Sequence, residues 1–177
     1  AAVVCHPHPL YGGDMHNPVV LALVRAFVAA GFAAVRFDFR GVADSGGEHD
    51  GGQAERLDAL AALELVEPLA QGGPLVMAGY SFGAMVALDV VDPRLAAWVA
   101  VAPPLAVRQS APLAAGDHRP TLLVVPEHDQ FSPPVAARQL AAGWPSMRVE
   151  EIAMADHFLV GRTAAVAEVV SRFVASL

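Results

Sequence analysis

The sequence predicts an α/β fold, a three-layer α/β/α sandwich on a mostly parallel sheet, in one domain spanning residues 1–177. Three observations predict it: short apolar runs recur along the chain, amphipathic helical stripes lie between them, and no repeat or linker divides the whole. Residues 1–5 form the first apolar run, read as a strand covered on both faces. A helix follows, because Asn17 can cap it and Pro18 suits its first position. Val20, Leu23, Val24, Phe27 and Val28 form its apolar stripe, and Gly31 supplies a left-handed stop. Residues 33–37 read as the second buried strand. Ala59, Ala62, Leu63, Val66 and Leu69 mark a second helix, and residues 75–78 a third strand. A helical pattern then runs from Phe82 through Val91, followed by strands at 97–101 and 121–125. Residues 147–152 alternate, as a strand nearer a sheet edge does, and Val166, Val169, Val170, Phe173, Val174 and Leu177 form the stripe of a last helix.

Hydrophobic residues make up 55% of the chain and charged residues 16%, which excludes intrinsic disorder. The longest uncharged stretch, residues 68–88, is cut by Gly72-Gly73-Pro74, Gly79, Ser81 and Gly83, so no membrane span is expected. Net charge is −7, with eleven arginines and no lysine, a poor composition for binding nucleic acid or anionic membranes. The lone Cys5 excludes an intrachain disulfide and reads as a core thiol, compatible with a cytoplasmic location. The chain opens inside a strand, so further residues are expected upstream. No dinucleotide fingerprint or Walker loop occurs, and no cofactor is expected.

Gly79-Tyr80-Ser81-Phe82-Gly83 sits between the third strand and its helix. This G-x-S-x-G turn is tight enough that side chains two residues either side of the serine would collide with its neighbours. It holds the serine strained and exposed, as a nucleophile requires. A serine hydroxyl needs a base, and the base an orienting carboxylate. With the order Ser, acid, His, the only histidine beyond His128 is His157. Of the eight carboxylates between Ser81 and His157, Asp89 and Asp92 lie too far along the helix and Asp117 at the wrong edge. Glu150 and Glu151 lie inside a strand, and Asp156 adjoins the base. Glu127 and Asp129 remain, with Asp129 preferred because the loop must clear the sheet before reaching the imidazole.

Two backbone N–H donors should stabilise an oxyanion: Phe82, directly after the serine, and a residue of the loop after the first strand. Pro7 and Pro9 have no N–H, which leaves His8 first and Leu10 second. A rival arrangement gathers His6, His8, Asp14 and His16 around a metal, although the prolines splay the rings. The Gly-rich loop from Phe37 to Gly52 could border the substrate, or be a structural loop tied down by Arg40 pairing with Asp38 or Asp58.

At these residues the chain resembles the α/β-hydrolase superfamily, and within it the small, lid-poor, dienelactone-hydrolase-like bacterial proteins. The matching segments are HPHP-x-x-GG at residues 6–13, a strand followed by FRG-x-x-x-S-x-G in the segment that begins at Phe37, GYSFG at 79–83 and DHF at 156–158, with Glu127-His128-Asp129 similar to the acid turn. The resemblance implies Ser81 as nucleophile, Asp129 as acid and His157 as base. Strands that relatives carry before the first one are absent, which puts residues 33–37 at a sheet edge. Residues 102–119 are too few for a cap domain, so an open, shallow site is expected. The expected activity is hydrolysis of a small-molecule carboxylic ester or related acyl compound by water. Thioester, lactone or peptide hydrolysis on the same triad, or a non-catalytic binding scaffold, are the alternatives.

Overall fold

A computed structural model describes all 177 residues. Its elements are β1 (Ala2–Cys5), α1 (Pro18–Ala29), β2 (Ala34–Arg36), α2 (Glu55–Val66), β3 (Leu75–Tyr80) and α3 (Phe82–Leu88). They continue as β4 (Leu95–Val101), β5 (Thr121–His128), α4 (Pro134–Ala141), β6 (Met147–Asp156) and α5 (Thr163–Val174). The six strands form one all-parallel sheet in the order β2-β1-β3-β4-β5-β6.

Strand residues alternate between two cores. Ala2, Val4, Val76, Ala78, Val99, Leu122 and Val124 pack beneath α1 and α5 with Leu23, Phe27, Val170 and Phe173. Val3, Cys5, Met77, Trp98, Ala100, Leu123 and Val125 pack on the opposite face with residues of α2, α3 and α4. Burial on both faces explains why β1, β3 and β5 are nearly continuous apolar runs. The Trp98 indole N–H, taken into the core, donates to Val90 O at 2.9 Å, so the largest buried side chain leaves no polar atom unpaired.

α1 begins as its sequence dictates: Asn17 Oδ1 accepts the Val19 N–H at 2.9 Å, and Gly31 follows the helix at φ +85°. Five details of the helices differ from expectation. Val28 is exposed, on the solvent side of the α1 stripe. Leu69 is exposed because α2 ends at Val66 and a 3-10 turn carries Leu69 off its face. α3 stops at Leu88, three residues short of Val91, and Leu177 lies beyond the end of α5, 40% exposed. α4 is an element that the apolar pattern did not predict, since only Ala137 and Ala141 of it are buried.

β2 is a three-residue edge strand, as expected, and β6 is the opposite edge. The chain runs from β1 outward to β2, then crosses to β3 on the other side of β1. That reversal puts the switch point of the sheet at the carboxyl ends of β1 and β3, where open α/β sheets bind ligands. The register sets Cys5 beside Gly79, so the loop after Cys5 and the turn at Ser81 emerge side by side.

Candidate active site

Ser81 stands at that switch point, directly after β3, with φ +54° and ψ −117°, a conformation that an L-residue adopts only under constraint. The constraint is visible on both sides. A Cβ on Gly79 would lie 2.2 Å from Gly83 O, and one on Gly83 would lie 2.4 Å from the carbonyls of Cys5 and His6. Only glycine lets β3 turn straight into α3 while α3 rests on the end of β1. The Ser81 N–H donates to Val101 O at 2.9 Å and pins the turn to β4.

His157 follows directly on β6, whose pairing with β5 runs as far as His128 beside Asp156. The long β5–β6 ladder, extending past the predicted ends of both strands, carries Asp129 and His157 out together. His157 Nε2 lies 2.8 Å from Ser81 Oγ, and its Nδ1 lies 2.9 Å from Asp129 Oδ2. The imidazole that fits both contacts donates from Nδ1 to the carboxylate and accepts the serine hydroxyl at Nε2. Asp129 is 2% exposed, and its other oxygen accepts the N–H groups of Phe131 at 2.8 Å and Ser132 at 3.0 Å. Glu127, the alternative acid, turns away and accepts the Met154 N–H at 2.6 Å. Asp156 accepts the Phe158 N–H.

Several residues that sequence reasoning missed hold His157 in place. The Tyr80 hydroxyl donates to His157 O at 2.9 Å, and Gln130 Oε1 accepts the His157 N–H at 3.1 Å. Burial, with Asp129 and Asp156 nearby, pushes the Tyr80 phenol up, so it remains a neutral donor. The rings of Phe131 and Phe158 stand edge-on to the imidazole, with centroids 4.6 and 5.7 Å away. Tyr80 lies inside the elbow motif and Gln130 next to the acid, but no spacing distinguishes them from bystanders.

Beside the serine, His8 begins a short 3-10 turn. Its carbonyl accepts the N–H groups of Tyr11 and Gly13, and its Nδ1 accepts that of Leu10 at 3.3 Å. The Leu10 amide is therefore engaged. The His8 ring packs against Phe82 at 4.9 Å. Burial, reinforced by the neighbouring His49, lowers the pKa of His8 and favours its neutral form.

The residues of the rival metal arrangement are engaged elsewhere. The His6 Nδ1–H donates to Pro7 O at 2.6 Å and its Nε2 accepts the Phe39 N–H at 3.0 Å, so both ring nitrogens are used. His16 Nδ1 faces the Arg36 guanidinium at 3.1 Å, and Asp14 Oδ1 accepts the His16 N–H. No three His, Cys, Asp or Glu side chains are arranged so that they could hold a metal ion. Arg40 pairs with Asp58, through Nε at 3.0 Å and NH2 at 2.7 Å. Asp38, the other candidate partner, accepts the Met15 N–H instead. Beyond that anchor, the loop brings His49 against His8 and against Phe82, the residue after the serine. Cys5 is fully buried, and desolvation raises its thiol pKa far out of the nucleophilic range.

A family model described as serine aminopeptidase, S33, matches residues 3–118, a span that includes the Ser81 elbow. The chain belongs to this α/β-hydrolase family. An alpha-beta serine hydrolase homologue from Coxiella burnetii superposes with a TM-score of 0.89 at 34% identity, over 97% of this chain and 83% of that one. A Xanthomonas campestris protein, described as a serine hydrolase without lid, superposes with a TM-score of 0.86 at 30% identity, over 98% of this chain and 79% of that one. An uncharacterized protein of Rickettsia prowazekii is 40% identical over 109 residues, 59% of this chain; the match spans 45% of that protein's length. The lidless architecture recurs here: residues 102–119 hold only two short 3-10 turns, at Leu105–Val107 and Leu113–Gly116. No helix is long and apolar enough to cross a membrane. The fold is thus that of a small α/β serine hydrolase homologue, with Ser81, His157 and Asp129 in triad-like contact.

Proposed function

We propose that the chain is a serine hydrolase that cleaves a carboxylic ester or related acyl compound through an acyl-enzyme. The observation that carries this reading is the unbroken chain of contacts from Ser81 Oγ through the His157 ring to the buried Asp129. Ser81 Oγ attacks the carbonyl carbon while His157 Nε2 takes its proton. Asp129 keeps the imidazole in the accepting tautomer and stabilises the cation that forms. The tetrahedral intermediate then collapses, and His157 returns the proton to the leaving group. Water resolves the acyl-enzyme by the reverse use of His157.

The negative charge on the carbonyl oxygen is met by two backbone amides, those of Phe82 and His8. Phe82 opens α3, where the first N–H groups have no intrahelical acceptor. His8 is favoured over Leu10 because the Leu10 amide already donates to the His8 ring. Asp129 is favoured over Glu127 because only Asp129 contacts the imidazole.

The test is turnover of p-nitrophenyl acetate, its thioester analogue and an anilide by the wild type and by Ser81→Ala. The ester is expected to turn over fastest. The substitution is expected to lower kcat by about 10⁴-fold or more. Near wild-type turnover by Ser81→Ala would refute the assignment. Faster anilide or thioester turnover would move the substrate to those acyl classes.

A further inference from the structure

Glu55 opens α2 with its side chain fully buried, and the triad makes no use of it. An ionised carboxylate in the interior is costly unless its oxygens are hydrogen-bonded. Here Oε1 receives the His49 Nδ1–H at 2.7 Å and the Asp50 N–H at 3.1 Å, while Oε2 receives the Gly52 N–H at 2.8 Å. Its place at the positive end of a twelve-residue helix also favours the charge. One carboxylate thus fixes the last turn of the 37–52 loop and the orientation of the His49 ring.

That ring is wedged against two particular neighbours. Its centroid lies 4.8 Å from that of His8 and 5.2 Å from that of Phe82, and the His8 and Phe82 rings touch each other. Phe82 also packs edge-on against Phe39, whose amide is held by His6. His8 and Phe82 are the two residues whose amides are assigned to the oxyanion, and they come from separate segments, one after β1 and one after β3. His49 is a side chain, from a third segment, that touches both.

We propose that His49, oriented by Glu55, is a positioning residue that sets the spacing of the His8 and Phe82 amides around the developing oxyanion. This rests on the functional reading above. His49 touches no reacting atom; it acts through the two side chains it packs against. Because an oxyanion pocket works by preorganisation, a displacement of its donors weakens transition-state binding and leaves substrate binding almost unchanged.

The experiment compares wild type, His49→Ala and His49→Phe, with p-nitrophenyl acetate as substrate and a trifluoromethyl ketone as the transition-state mimic. Circular dichroism and thermal melting establish that each variant is folded. His49→Ala removes the wedge and should lower kcat about ten- to a hundredfold with KM within about twofold, weakening the ketone by the same factor. His49→Phe keeps a ring against His8 and Phe82 but cannot reach Glu55, and should fall between the two. If His49→Ala does not fold, the His49→Phe comparison alone decides, and unchanged kcat and ketone affinity there overturn the proposal. A folded His49→Ala with unaltered kcat overturns it too, as does a rise in KM with kcat unchanged, which would make His49 a substrate contact. Fluorophosphonate labelling of Ser81 separates this from the reading beneath it. A wild type that neither labels nor turns over ester fails the functional assignment, whereas a labelling, active wild type indifferent to His49 fails this inference alone.

Discussion

Asp129 shows how much of the site a single residue carries. Its buried carboxylate accepts two backbone N–H groups with one oxygen and the His157 ring with the other. Asp129→Asn keeps the shape but can present an N–H to the ring, which favours the wrong imidazole tautomer. We expect kcat to fall by about 10⁴-fold with the melting temperature little changed. Steady-state kinetics beside a thermal melt checks this, and a loss below tenfold would remove Asp129 from the triad. At this scale the sequence was legible where chain order and elimination acted together: one histidine lay beyond the last candidate acid, and two acids survived. It was silent where a role depends on convergence of distant segments. Tyr80 reaches His157 across 77 positions, and His49 meets Phe82 from a loop of its own; neither leaves a local pattern.

At the scale of elements, the elbow joins β3 to α3 with no spare space, and Gly79 and Gly83 are its two contact points. Gly79→Ala would place a Cβ 2.2 Å from Gly83 O, backbone that cannot swing aside. We expect a loss of about 3 kcal/mol or more and loss of serine reactivity, since relief requires β3 and α3 to separate. Chemical denaturation measures it, and an unchanged midpoint would show that the turn has room. Buried parallel strands were easy to read because both faces are apolar. Boundaries were harder. β5 and β6 run on past their apolar cores through Glu127, His128 and Asp156, polar residues held in strand by the ladder rather than by burial. α4 was missed because Pro133 and Pro134 resemble a loop, although proline suits the first turn of a helix, and its buried side chains are alanines.

For the whole molecule, two cores share one sheet, and the loop after β1 is stitched to the loop after β2 by His6. Burial lowers the pKa of His6 from its ordinary 6.5, outweighing the opposing effects of the Pro7 carbonyl, Asp38 and Asp14. Below pH 6.5 the unfolded chain therefore binds a proton that the folded chain resists. The stability is fully present above that pH and declines as the pH falls from there towards the folded pKa, by at most about 1.4 kcal/mol per pH unit from this group. His6→Asn leaves an amide oxygen for the Phe39 N–H and removes the titration. Its melting temperature should drop less than that of the wild type between pH 7.5 and 5.5; equal drops would show that His6 is not the acid-sensitive joint. The sheet order was only partly legible. The edge position of β2 followed from the resemblance, but the meeting of three loops at the switch between β1 and β3 required the structure.

The central claim is that Ser81 is activated by His157. The most direct measurement is the intact mass of the folded protein after incubation with a fluorophosphonate, with Ser81→Ala and His157→Ala alongside. The account predicts one stoichiometric adduct on the wild type, none on Ser81→Ala, and labelling slowed by orders of magnitude on His157→Ala. An unlabelled wild type, or equal labelling of all three, would contradict it.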